Sequence, residues 1–457
     1  MSGDKGESRM TQKREIKLAA YLIGTGMHVS SWRHPAANPN ASIDVKALQH
    51  LAQVAEKGKF DIAFIADSLA INNESHPQIL NRFDPLILIT ALAAATEKIG
   101  LGATVSTTYS EPYTLARQFA SVDHISNGRA GWNVVTTADA TGQTALNFSR
   151  EQHWEHDHRY ERAEEFIDVV QGLWDSWSDD AFVYNKETGQ FFNPNKVHEL
   201  QYKGEYFSVK GPLNIARSEQ GQPVIIQAGA SVPGQRLAAR TAEVVFTLWD
   251  SLEKSKEHYQ KLKAQLQEFG RSEDELHILH GISPVIGETE EIAIQKYEEL
   301  QNLVDPYESL KFASGYMGNV DFSKYALDTP ARDIEFPTVN SIQSNFDEMK
   351  KIIDEEDLKV GDLYGRFFSP ARKDEFVGTP IQVADAMERW FTEKAADGFM
   401  IQFPLLPSGL EDFVKYVVPI LQKRGLYRLD YEGETLRNHL GLQKPANRFE
   451  EATPQTI

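Results

Sequence analysis

The 457-residue chain contains no cysteine, which excludes disulfides, thiolate metal centres and cysteine nucleophiles. Long hydrophobic runs are missing as well. The longest, residues 85–96, is too short to cross a bilayer, and the opening MSGDKGESRMTQKRE lacks the apolar core of a signal peptide. Positive charge is in deficit: 47 Lys and Arg against 66 Asp and Glu leave a net charge of −19. Such a surface repels nucleic acid and anionic membranes, so small molecules and other proteins are the partners that this composition favours. A soluble, cytoplasmic protein is the expectation. Internal repeats and low-complexity tracts are also absent.

Against these absences stands a regular alternation of short β-rich apolar runs with longer amphipathic stretches, the pattern of a parallel sheet built from βα units. Eight runs are readable, at 16–24, 61–67, 99–107, 130–136, 223–229, 244–249, 276–287 and 398–403. They predict an α/β fold, a (β/α)8 TIM barrel, as one domain over 16–442 between a polar N-terminal tail (1–15) and a polar C-terminal tail (443–457). The clearest helix covers 158–174, where Tyr160, Ala163, Phe166, Ile167, Val170, Leu173 and Trp174 form one apolar stripe. Two stretches break the rhythm. One, about 178–222, carries KETGQFFNPN and GEYFSVKGPLN and reads as a turn-rich insertion with a hairpin. The other, about 303–375, follows the seventh strand and reads as a lid or wall over the site, with Leu310, Phe312, Tyr316 and Met317 as apolar anchors and 313–320 as the closing part if it is a lid.

In this fold the chemistry sits on the loops after the C-terminal ends of the strands. The densest polar stretch there is HWEHDHRY (153–160), just before the fourth helix. A metal reading needs converging ligands from other strands, and the first strand ends without the His-x-His pair that barrel metallohydrolases offer. A second reading is a solvated helix start with Asp157 near the cap. The third is an anion seat: His156 and Tyr160 share one helical face at a helix N-terminus, where free N–H groups and the dipole favour negative charge. QAGASVPGQRLAAR offers a similar corner after the fifth strand, with Gly229, Ala230, Ser231 and Gly234 letting backbone approach a phosphate. GTGMHV after the first strand lacks the third glycine of a dinucleotide loop, so Gly24 and Gly26 read as turn residues at the rim.

DHISNGRAGWNVVT (123–136), EHDHRY (155–160), VIIQAGAS (224–231), HVSSWRHP (28–35), EKGKFDIAFIAD (56–67) and VVPILQKRGLYRLDYEGETLRNHLGL (417–442) closely resemble the bacterial-luciferase-like flavin monooxygenases. The similar branch holds nitrilotriacetate, dibenzothiophene-sulfone and long-chain alkane monooxygenases. The resemblance spans nearly the whole chain, in order. It implies a barrel enzyme using O2 and reduced FMN (FMNH2) from a separate NAD(P)H:FMN reductase, in a homodimer or homotetramer. It further implies flavin contacts at Asp67, Thr104, Asn133, His156, Tyr160, Ala230 and Ser231, and no metal. His28, Trp32, Arg33 and His34, after the first strand, are the candidates for shaping the substrate pocket. The stretches 20–35 and 75–85 are most similar to members acting on sulfur compounds and modified cysteines, so an organosulfur substrate is expected, with Arg82 and Arg33 meeting a carboxylate. Aminocarboxylates, alkanes, a deazaflavin-dependent oxidoreductase on the same barrel and a non-catalytic flavin binder are the alternatives.

Overall fold

Eight parallel strands close on themselves: β1 (Lys17–Tyr21), β2 (Ile62–Ile65), β3 (Gly100–Ser106), β4 (Ala130–Val135), β5 (Val224–Gln227), β6 (Val244–Thr247), β7 (His277–Ile282) and β8 (Gly398–Ile401). β1 pairs with both β2 and β8, so the barrel has no free edge. The computed structural model describes residues 14–450 apart from 73–74, 138–142, 250, 318–319, 337–342 and 368–374. Each strand is buried on both faces, which is why the runs read as continuous apolar stretches. Alternation along β4 shows the two destinations. Trp132 points outward, with its ring 5.9 Å from Phe119 and 6.3 Å from Trp174, while Asn133 is bonded within the barrel to Thr104.

The expected fourth helix forms at His156–Trp174 and buries Ala163, Phe166, Ile167, Val170 and Leu173 against the barrel. Other helices begin where the chain supplies a cap. Asp44 accepts from the backbone of Lys46 and Ala47 at the head of Val45–Lys57, and Asp84 does the same for Pro85–Ala93.

The lower end of the barrel is sealed from inside. The short helix Leu436–Leu440 brings Leu436 and Leu440, both fully buried, against Ile62, Val224 and Leu279. Room for Leu436 exists because β3 and β4 carry glycine there: a Cβ on Gly100 would lie 2.4 Å from a Leu436 methyl carbon. Polar bonds fix the plug, with Leu436 N donating to Gly128 O at 2.9 Å and Lys17 Nζ to His439 O at 3.0 Å.

Two expectations need correction. The run 276–287 is two strands: β7 ends at Ile282, and Val285–Ile286 leaves the barrel to pair with Val377–Gly378. That small ladder pins together the two ends of the second insertion. The tails are shorter than expected, because Arg14 donates to Phe391 O and Ala396 O, and Asn447 to Asp175 O and Trp177 O. These side chains anchor to carbonyls of the folded domain where polarity alone suggested solvent. In the second insertion, Leu310, Ala313 and Met317 face a separate apolar core with Phe322, Ile353 and Leu363. The stretch 318–319 of the expected closing part lies outside the described residues. The first insertion does form hairpins, Phe182–Asn185 with Gln190–Phe192 and Tyr202–Lys203 with Ser208–Val209.

Replacing Leu436 by Ala leaves a cavity beneath β3 and β4 that the closed barrel cannot collapse, and is expected to cost about 2–5 kcal/mol. Chemical denaturation measures the loss. The polar rim should keep its ligand-binding properties, because it lies at the opposite end.

Candidate functional site

At the C-terminal rim, between β4 and β5, two helix starts meet. Ser231 caps the helix Val232–Thr241, its Oγ accepting from Gly234 N at 3.2 Å. Tyr160, one turn into the helix His156–Trp174, brings its hydroxyl to 3.4 Å from Ser231 Oγ. The approach depends on two glycines: a Cβ on Gly229 would sit 3.3 Å from that hydroxyl and one on Gly234 2.9 Å. His156 lies beside Tyr160, ring centroids 4.9 Å apart, and its Nδ1 is 2.8 Å from Asp157 Oδ1. The carbonyl of Ala230 accepts from Gln235 Nε2 at 2.7 Å. Free N–H groups, a helix dipole and two hydroxyls in one corner form a seat for an anion.

The other histidines of HWEHDHRY go elsewhere. His153 Nδ1 is bonded to the Tyr109 hydroxyl at 2.6 Å, and His158 packs its ring on Trp154 and Tyr206. Among the described residues no group of three or more His, Asp or Glu side chains is gathered to hold a metal.

Inside the mouth, Thr104 donates to Ile65 O at 3.0 Å and Asn133 Nδ2 donates to Thr104 Oγ1 at 2.9 Å. Asn133 Oδ1 is left buried without a donor, an acceptor position open to a ligand N–H. Sequence reasoning missed the aromatic floor at this level: Tyr21 on β1, Phe64 on β2 and Phe246 on β6, with centroids 5.6 and 4.8 Å apart in succession. Inward positions near strand ends were the available signal. Asp67 follows β2 and accepts from Ser68 N at 2.8 Å; burial pushes its carboxyl pKa up, against the pull of Ser68 and Arg82.

The four residues proposed after β1 separate. His28 is 1% exposed, whereas Trp32 is 46% exposed. Arg33 is tied to the Leu303 carbonyl in the second insertion, and His34 Nδ1 accepts from Ala36 N at 3.2 Å. The turn that carries them needs Gly26 at φ +123°, where a Cβ would strike Pro404 O at 2.4 Å. His28 and the unforeseen His76 form a buried pair beneath the insertion. Ser30 N donates to His28 Nδ1 at 3.2 Å, the Gln301 amide lies 3.2 Å from His28 Nε2, and His76 Nε2 meets Val29 O at 3.1 Å with its ring edge-on to Phe312. Burial, reinforced by His76, brings the His28 pKa down to about 4; burial also takes His76 to about 4, although Val29 O and Glu308 oppose it.

A closed (β/α)8 barrel with an anion corner at its catalytic rim is the architecture of an enzyme with a phosphate-bearing cofactor. The chain belongs to the luciferase-like monooxygenase family, which residues 25–397 match. It is 53% identical to the N-acetyl-S-(2-succino)cysteine monooxygenase of Bacillus subtilis (strain 168), across 96% of this chain and 99% of that protein. It is 43% identical to nitrilotriacetate monooxygenase component A of Aminobacter aminovorans, across 96% and 99%. A solved structure of riboflavin lyase with modified FMN superposes with a TM-score of 0.82 at 32% identity, covering 94% of this chain and 96% of that one. The chain is a flavin-dependent monooxygenase, and its cofactor is FMN. The rim fits that group: the glycine-walled corner beside Tyr160 suits a phosphate, and the orphaned Asn133 oxygen suits a ring or ribityl donor.

The neutral His28–His76 pair makes a pH prediction. Unfolded, each takes up a proton near pH 6.5; folded, only near 4. The unfolded chain therefore binds more protons in between, so the stabilisation is full above about pH 6.5 and is lost as pH falls towards 4. Hydrogen exchange of the β1 loop, corrected for intrinsic rates, should accelerate on acidification from about pH 7 to about pH 5. His76→Gln should flatten that dependence by up to about 1.4 kcal/mol per pH unit.

Proposed function

We propose that this chain oxygenates a thioether of the modified-cysteine class in the cytoplasm, with reduced FMN supplied by a separate NAD(P)H:FMN reductase. The observation that carries the reading is the 53% identity, over nearly full length, to a monooxygenase named for N-acetyl-S-(2-succino)cysteine. Reduced FMN supplies two electrons and the activation of O2. One oxygen atom enters the substrate at or beside sulfur, priming the C–S bond for cleavage; the other leaves as water with two protons. The protein contributes binding, orientation and exclusion of water.

In this reading Tyr160 and Ser231 donate to the FMN phosphate, helped by backbone around Ala230, and His156 borders the ribityl chain. Thr104 and Asn133 sit below the ring, Asp67 at its far edge, and Tyr21, Phe64 and Phe246 form an apolar floor. His28 and the second insertion cover the mouth; Trp32 and His34 shape its outer rim. A homodimer or homotetramer is proposed, in keeping with the exposed Ile87 and Ile125 on successive outer helices.

The test is a reconstituted reaction. The protein with FMN, NADH, a flavin reductase and N-acetyl-S-(2-succino)cysteine should consume the thioether only when O2 is present. Tight binding of a deazaflavin with no response to reduced FMN would overturn the reading.

The phosphate assignment has its own test. Tyr160→Phe removes one donor to a charged group and should weaken reduced FMN binding by about 1.5–3 kcal/mol in anaerobic titration. Riboflavin, which lacks the phosphate, should bind variant and parent equally; an equal loss with riboflavin places the hydroxyl elsewhere.

A further inference from the structure

A substrate bearing several carboxylates must enter a protein of net charge −19, so the mouth needs a cation that is not already spent. Most arginines at this rim are committed. Arg33 is bonded to the Leu303 carbonyl, and Arg159 to the carbonyls of Thr136 and Thr137. Arg150 and Arg162 lie over the Trp154 ring, at 4.0 and 5.4 Å, within an aromatic cluster. Arg82 differs. Half-buried just before the helix Pro85–Ala93, it has no carbonyl partner, ring contact or ion pair among the described residues, and like Arg159 it keeps a buried Nε without an acceptor. Its guanidinium faces the hydroxyl of Tyr21 at the end of β1, and its field reaches Asp67 at the end of β2.

Position completes the argument. The anion corner lies between β4 and β5, and in a closed ring of eight strands β1 stands opposite β5. Arg82, beside Tyr21 at the end of β1 and within reach of Asp67 at the end of β2, thus stands across the mouth from the corner that would hold the FMN phosphate.

We propose that Arg82, backed by the Tyr21 hydroxyl, is the specificity-determining anchor for a substrate carboxylate. It rests on the thioether reading above and selects between the two arginines that the sequence offered. A planar guanidinium steadied by one tyrosine hydroxyl and free of any carboxylate among the described residues can take a substrate carboxylate through its remaining N–H groups, whereas Arg33 is held by the insertion. A neutral thioether gains nothing from it.

The experiment compares N-acetyl-S-(2-succino)cysteine with its trimethyl ester, on the parent, Arg82→Met and Arg82→Lys. Calorimetry on the protein with oxidised FMN gives affinities without turnover, and the reconstituted reaction gives KM and kcat. Arg82→Met should weaken the acid by about 10- to 100-fold in both affinity and KM, with a smaller change in kcat. The ester and reduced FMN should bind as to the parent, and Arg82→Lys should recover part of the loss for the acid. Equal weakening of acid and ester, equal affinity of the parent for the two, or loss of reduced FMN binding in Arg82→Met would overturn the proposal. If the parent binds the acid through Arg82 yet never consumes it with O2, the anchor stands and the monooxygenation reading falls.

Discussion

The seal at the lower end of the barrel is the constraint on which the rest of the molecule depends. A closed parallel barrel has two unlike ends, and here the one holding the strand N-termini is filled by Leu436 and Leu440 beneath Gly100 and Gly131. Around that plug runs a set of buried charges. Asp61 pairs with Arg428, Glu243 with Arg437, and Asp397 with Lys263 and Arg14. Burial alone would raise the Asp397 pKa, yet Lys263, His277 and Arg14 take it down to about 2. A buried pair of this kind stabilises little by itself, but removing one partner strands a charge, so the network fixes how the C-terminal segment docks.

With that end closed, ligand chemistry is confined to the other rim, where the loops are long and the strand ends supply unpaired groups. The anion corner is built from helix starts, so its positive potential comes from fixed backbone dipoles and needs no arginine. The arginines nearby are mostly tied to carbonyls or packed on rings, which leaves a mouth that is polar at the phosphate side and apolar across the Tyr21–Phe64–Phe246 floor.

The second insertion closes this design through a shared boundary. Its entry and exit are clamped by Val285–Ile286 and Val377–Gly378, and it carries a core of its own. It meets the loop after β1 through Leu303 and Tyr364 and the loop after β2 through Phe312, and there His28 and His76 stay neutral because burial penalises their charged forms.

The chain's own pattern determined the barrel, its eight strands, the helix of residues 158–174 and the glycine-bearing turn after β5, because each is a local signal: apolar runs of strand length, a 3.6-residue stripe, small residues before a helix. The family motifs carried the cofactor in the same way, since WNVVT and EHDHRY are contiguous stretches. Other features required the fold. The split of 276–287 depends on a partner strand some ninety residues later, and the burial of Leu310 and Met317 depends on Phe322, Ile353 and Leu363. His76 gained its place only because the β1 loop and the insertion close over it. Arg33 and Arg82 look alike in sequence; tertiary structure separated them, because a guanidinium's availability is set by whether a distant carbonyl has already taken its hydrogens.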